Sequence, residues 1–137
     1  ECQVTLPLIK SDVLELLFAS ATDGLGKYSI EYHDAHALTV VLASEGYPSS
    51  AKTGLLIEGI DEVETATSTH NLWINHAATK LNEDGKYIST GGRVLSVTAL
   101  GSSLEECFAT AYDGMERLNL EGSHYRKDIG KKALDFV

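Results

Sequence analysis

Lys86 and Arg93 carry the clearest chemistry in this sequence, inside the stretch Gly85–Glu106, GKYISTGGRVLSVTALGSSLEE. The stretch reads as strand, glycine turn, strand and helix start. Gly91-Gly92 is able to take the positive φ angles of a tight two-residue turn. Such a turn pairs Thr90 with Arg93 and Lys86 with Val97, and cross-strand partners share a face. Lys86 and Arg93 would then point the same way, about 13 Å apart along the ribbon. A lysine acting as a point charge and an arginine acting as a fork suit one small anion between them, such as a phosphate. The same spacing also describes two solvated side chains on an exposed hairpin, which is the commoner arrangement for Lys and Arg.

The other polar residues offer less. Gly91-Gly92-Arg93 is not a phosphate-cradling P-loop. His33, Asp34 and His36 lie close together, but a closed metal site needs four ligands and no further ligand follows at usable spacing. They read as a polar turn. His70 and His76 are isolated, and His76 sits in an apolar segment, where a hydrogen-bonded core histidine is expected. No Ser or Cys has a recognisable base and orienter beside it. The residues predict an anion site and a core, with no catalytic group and no metal ligand.

These residues need elements to hold them. Asp12 and Glu15 begin a helix over Val13–Ala21 that is apolar nearly all round, so it wants burial on more than one face. Residues 1–10 read as an extended arrival, and Tyr28, Ile30 and Tyr32 alternate with polar residues as a half-buried strand would. The apolar run Ala37–Ala43 predicts a central strand, Gly54–Glu58 a short one, and Leu72–Lys80 another. EGYPSS, 45–50, is a turn, and the acidic, Thr-rich segment 61–69 reads as a surface connection. After the hairpin, Ser102 and Glu105 have the spacing of a capping box. Leu104, Cys107, Phe108, Ala111, Tyr112, Met115 and Leu118 then form one apolar helical stripe. Ile129, Ala133, Leu134 and Phe136 predict a short closing helix. The sum is an α+β layer: a mainly antiparallel sheet packed by one long helix.

Composition narrows the classes. At 137 residues this is one domain, with room for a piece of another. A net charge of −9 argues against nucleic acid as a partner, because clustered positive charge supplies most of that affinity. No apolar run is long enough to span a bilayer, so no membrane is expected, and no signal peptide is predicted. Cys2 and Cys107 suit free thiols in a reducing, cytoplasmic setting. A chain beginning with Glu1 in mid-pattern predicts an excised piece of a longer polypeptide.

Four stretches, ECQVTLPLIKSD, LTVVLASEGYP, GGRVLSVTALGSSLEE and YRKDIG, together resemble the C-terminal end of glycinamide ribonucleotide synthetase, or phosphoribosylamine–glycine ligase. The similarity runs in order over nearly the whole chain. It implies an ATP-grasp C–N ligase of de novo purine synthesis, often fused to later purine enzymes, that uses ATP and Mg2+. It also implies that residues 1–26 are the tail of the ATP-grasp domain and residues 27–137 the C-terminal domain. The upstream ATP-grasp and N-terminal domains would then be this chain's partners, and the fragment alone would be inactive and bind no cofactor. Related purine enzymes hold a ribose phosphate with a similar Gly-Lys, six residues, Arg pattern, which Gly85-Lys86 and Arg93 match. The resemblance thus assigns Lys86 and Arg93 to the 5′-phosphate of phosphoribosylamine. Arg126 and Lys127 stand where the family has two arginines, either closing the anion site or bridging to the missing domain. The family's His-Ala-Gly-Thr appears as His76-Ala77-Ala78-Thr79, and the tyrosine expected near position 51 is absent. Two alternatives stand beside this reading: a non-catalytic acidic interaction module, and the C-terminal domain of a related ATP-grasp carboxylase.

Overall fold

The computed structural model describes residues 1–134, apart from the side chains of residues 67–70. In chain order the helices and strands are α1 (Cys2–Thr5), α2 (Val13–Ala21), β1 (His36–Ala43), α3 (Ile60–His70), β2 (Leu72–His76), β3 (Thr79–Leu81), β4 (Tyr87–Ser89), β5 (Arg93–Gly101), α4 (Leu104–Glu116) and α5 (Lys131–Leu134). Turns of 3-10 helix stand at Leu6–Leu8 and Leu25–Lys27. β5 is the middle of a three-stranded antiparallel sheet ordered β1-β5-β2, and β3 with β4 makes a separate antiparallel ribbon. The fold is the expected α+β class, with α4 packed across the sheet.

Register decides which residues meet α4. Leu38 pairs with Ala99, Val40 with Val97 and Leu42 with Leu95, while Leu72 and Ile74 flank β5 on its other side. These residues make one apolar face. α4 lays buried Cys107, Ala111, Gly114 and Met115 over it. Gly114 is needed for the close approach: a Cβ there would meet Val97 Cγ1 at 2.9 Å and Leu72 Cδ2 at 3.0 Å. Burying each large aliphatic side chain contributes about 1.5–3 kcal/mol. The opposite face carries Thr39, Val41, Trp73, Asn75, Ser96 and Thr98. Its polar groups satisfy one another: the Thr39 and Thr98 hydroxyls lie 2.8 Å apart, and Asn75 Nδ2 donates to Thr98 Oγ1 at 2.7 Å.

α2 spans the predicted residues, with Asp12 capping Leu14 N and Glu15 N at 2.8 and 3.1 Å. It buries none of its residues, and Leu14, Leu17 and Phe18 are 61–76% exposed. The α4 cap sits one residue later than Ser102–Glu105. Ser103 Oγ accepts from Glu106 N at 3.2 Å, and Glu106 Oε2 accepts from Ser102 N and Ser102 Oγ, each at 2.7 Å. β5 runs through Gly101, paired with His36, so the helix starts only after it.

Several expectations are corrected. The hairpin 86–100 does not form. Neither Gly91 nor Gly92 has a positive φ, so the two-residue turn is excluded. β4 pairs with β3 instead, and β5 with β1 and β2. Leu72–Lys80 is two strands, because Ala77 N and Ala78 N bond to Val94 O and Arg93 O and the chain then turns off into β3. Segment 61–69 is helical: Ile60 and Val63 are buried and Ala66 is half-buried, an inward stripe that the Thr-rich composition hides. The run Ala37–Ala43 forms a flanking strand, since β5 takes the centre. Residues 1–10 are short helical turns rather than extended, with Pro7 in the first turn of the 3-10 segment, where its missing N–H costs nothing. Residues 28–33 find no neighbour to make a strand beyond the bridge Ile9–Tyr32, and Gly54–Glu58 reduces to isolated bridges. The closing helix appears as α5, and Phe136 lies outside the described residues.

Candidate anion-binding cleft

A bulge puts Arg93 where it can act. Leu42 pairs with Leu95 but Ala43 pairs with Arg93, so Val94 has no opposite number on β1. Val94 and Leu95 are both buried in the core. Arg93, beyond the bulge, is exposed and lines a cleft with Val41, Asn75 and Ser96, three residues of the open polar face. Simple alternation places Arg93 with Leu95 and Val97 on the core face; the extra residue reverses it.

The cleft has a volume of about 560 Å³. Its polar residues are Gln3, Tyr47, Asn75, His76, Arg93 and Ser96. Arg93 is the one charged residue among all those that line it, and none is a carboxylate. The Arg93 guanidinium makes no hydrogen bond or ion pair among the described residues. A free fork among neutral donors, with no competing acid, is arranged to take an anion.

Two loops build the floor. Buried Ser44 donates from its backbone N to Gly92 O at 2.9 Å and from Oγ to Gly91 O at 2.8 Å. The Tyr47 ring lies against Gly92, in the space a Cβ would occupy, and a Cβ at Gly91 would meet the Ala78 methyl at 3.0 Å. The two glycines thus serve close packing, not a reverse turn. Tyr47 begins the cis Tyr47–Pro48 step. His76 is exposed rather than a core histidine, but it is hydrogen-bonded: Nδ1 lies 2.9 Å from Thr79 Oγ1, and the ring stacks on Tyr87 with centroids 4.6 Å apart. Ser44, Tyr47 and Asn75 escaped the sequence reading. The only signal for Tyr47 was the turn 45–50 that contains it and for Asn75 its place in a predicted strand, while Ser44, just before that turn, had none.

Lys86 does not join Arg93. It is exposed at the turn end of the β3–β4 ribbon, just before β4, its N donating to Asn82 Oδ1 at 2.8 Å. It lines a different cavity of about 260 Å³, beside Glu58 and Asp61. The cause is the pairing of β4 with β3 instead of β5. Arg126 is committed elsewhere. Its Nε and Nη2 donate to the two Asp128 carboxylate oxygens at 2.9 and 2.7 Å, and Tyr112 donates to its carbonyl. The fork pushes the Asp128 carboxyl below the usual carboxylate range and the Arg126 guanidinium above its own. Neither Arg126 nor Lys127 lines the cleft. Among the described residues no group of three His, Cys, Asp or Glu is placed to hold a metal ion, and no helix is long and apolar enough to cross a membrane.

Known proteins share this architecture. Residues 37–132 match the family described as phosphoribosylglycinamide synthetase, C domain. The chain is 44% identical over 138 residues to the trifunctional purine biosynthetic protein adenosine-3 of Gallus gallus, covering 100% of this chain and 13% of that protein. It is 41% identical to the phosphoribosylamine–glycine ligase of Synechocystis sp., covering 98% of this chain and 31% of that one. The crystal structure of phosphoribosylamine–glycine ligase from Thermotoga maritima is similar with a TM-score of 0.64 at 30% identity, over 82% of this chain and 27% of the other. The chain spans less than a third of the length of each of these relatives.

Proposed function

The chain belongs to the phosphoribosylglycinamide synthetase C-domain family, and on that premise we propose that it is the substrate-closing domain of a phosphoribosylamine–glycine ligase. That enzyme joins 5-phosphoribosylamine to glycine with ATP, giving glycinamide ribonucleotide, ADP and phosphate. The names of the relatives support the activity. A guanidinium with no partner among the described residues, in a cleft that none of them lines with an acid, supports the share of it that falls to this chain. Arg93 holds the substrate's 5′-phosphate as a two-toothed donor. Such a grip stabilises the bound amine in one place, and orientation of this kind lowers the barrier with no proton passing through the arginine. Lys86 is the second cation of the proposal. Its support is weaker, because it lines a separate cavity, but its ammonium has no ion-pair partner among the described residues. Arg126 and Lys127 serve better as bridges to the rest of the enzyme.

The residues present do not fit a nucleotide or Mg2+, for want of a phosphate loop and of clustered acids among the described residues. The likeness to the ligases supports placing ATP and its Mg2+ on the upstream ATP-grasp domain, with the chain alone inactive. We assign residues 1–26 to that upstream body. The exposed Leu14, Leu17 and Phe18 of α2 are what such an assignment calls for, since a helix apolar on this scale wants a cover. Free Cys2 and Cys107 suit the cytoplasm as the place of work.

The test is Arg93→Ala in the full-length enzyme. Losing a charge-assisted pair raises KM for 5-phosphoribosylamine on the order of 10–100-fold and leaves KM for ATP and glycine near the parent values. Equal changes for all three substrates would contradict the phosphate role.

A further inference from the structure

We infer that Ser44 is a positioning residue that aims Arg93 into the cleft, acting through the backbone of Gly91 and Gly92. The inference rests on the reading of Arg93 as the phosphate anchor. Ser44 is fully buried. It holds two consecutive carbonyls with two donors of its own: Oγ to Gly91 O at 2.8 Å, and N to Gly92 O at 2.9 Å. Those carbonyls belong to the residues immediately before Arg93. Both are glycines, which lack a side chain to restrict them, so their path depends on the bonds that hold them.

On the β1 side the sheet gives little help at this point, and on the other side Ala78 N bonds to Arg93 O at 3.2 Å but leaves the Gly91 and Gly92 carbonyls to Ser44. The ladder between β1 and β5 loses its regular register at Val94, where a bulge intervenes. Ser44 follows directly on Ala43, the partner of Arg93, and takes over where the ladder stops. Tyr47 closes the arrangement from the cleft side. Its N donates to Ser44 O at 3.2 Å, and its ring fills the space over Gly92. One short turn therefore grips the Gly91–Gly92 segment by hydrogen bonds and by packing.

A forked pair between guanidinium and phosphate needs both N–H groups in line. A small rotation of the strand end keeps the charge near the anion but loses one of the two bonds. Ser44→Ala frees the Gly91 carbonyl and permits that rotation. A bystander serine, merely satisfying its own hydroxyl, would have no such link to one substrate.

The experiment is a double-mutant cycle in the full-length enzyme, with 5-phosphoribosylamine generated from ribose 5-phosphate and ammonia. Ser44→Ala is expected to raise KM for 5-phosphoribosylamine by about three- to tenfold, with kcat and the KM values for ATP and glycine unchanged. In the Arg93→Ala background the same change is expected to add nothing further, because the group that Ser44 positions is gone. Should Ser44→Ala multiply the Arg93→Ala effect, or act equally on all substrates, the positioning role is overturned while the anchor survives. Should Arg93→Ala itself leave KM for 5-phosphoribosylamine unchanged, the anchor reading fails first and Ser44 with it. Thermal unfolding of each variant accompanies the kinetics. If Ser44→Ala does not fold, Tyr47→Ala takes its place in the cycle; it removes the ring over Gly92 from a residue that is 37% exposed. The expected result is the same in kind: a rise in the one KM that vanishes in the Arg93→Ala background, and a rise that persists there overturns the inference.

Discussion

On one face of the β1-β5-β2 sheet, Leu38, Val40, Leu42, Leu95 and Val97 are closed over by α4; on the other, Val41, Asn75, Ser96 and Arg93 line an open cleft. Neighbours on β1 show how sharp the division is. Leu42 is 2% exposed and Val41, one residue before it, 41%. On the closed face apolar rows meet an apolar helix stripe, and burial is the main source of its stability. The open face has satisfied its inner polar groups among Thr39, Asn75 and Thr98, yet it leaves the Arg93 guanidinium without a partner among the described residues. Stability is therefore invested on one side of the sheet, and ligand chemistry on the other.

The comparison breaks if equivalent truncations on the two faces cost the same. Leu42→Ala is expected to lower stability by about 2–5 kcal/mol through lost burial and a residual cavity. Val41→Ala, already half in solvent, is expected to cost less than about 1 kcal/mol. Urea unfolding followed by the fluorescence of Trp73 measures both. Equal losses would mean that the open face is packed as part of the core.

The open face was only half legible in the sequence. Residues 93–100 read correctly as a strand and Leu104–Leu118 as an inward stripe, because long runs with a clear period leave one solution. The hairpin failed because its evidence was two glycines, and glycine serves close approach as well as turns. Gly92 makes room for the Tyr47 ring, and Ala77 and Ala78, far off in sequence, take the hydrogen bonds of Arg93 and Val94. The bulge at Val94 was equally hidden, since the alternation of residues 94–100 extends back through Arg93 without a break and nothing in the sequence marks the extra residue. α3 was missed for a related reason: Ile60, Val63 and Ala66 are too few to outweigh the threonines and acids between them.

A smaller difference sharpens the account of the cations. Lys86 and Arg126 are both exposed, but the Lys86 ammonium has no ion-pair partner among the described residues, while Arg126 is forked on Asp128. Lys86→Ala in the full-length enzyme is expected to raise KM for 5-phosphoribosylamine by about three- to tenfold, less than Arg93→Ala. Arg126→Ala is expected to change it by less than about twofold, as for most exposed ion pairs. Steady-state kinetics with ATP saturating separates the two, and the reverse order would move the anion site to the α4 side of the sheet.

The smallest expected effect is electrostatic and belongs to the closed face. The Glu106 carboxyl is held below its ordinary range, chiefly by the hydrogen bond from the Ser102 hydroxyl and then by that from the Ser102 N–H. A carboxyl depressed by folding contributes stability that is fully present above its unfolded pKa and is lost as pH falls through its folded value. Glu106→Gln is therefore expected to flatten slightly the fall in thermal midpoint below the ordinary carboxylate range, and to leave the midpoint at pH 7 a little lower. An unchanged acid limb would mean that the bonds to Ser102 do not persist in solution.

The most direct test of the central claim is a crystal of the full-length enzyme soaked with ribose 5-phosphate. The account predicts phosphate density within hydrogen-bonding distance of both terminal nitrogens of Arg93, in the cleft between Tyr47 and Asn75. Density for the phosphate at any other place, with Arg93 still unpaired, would contradict it.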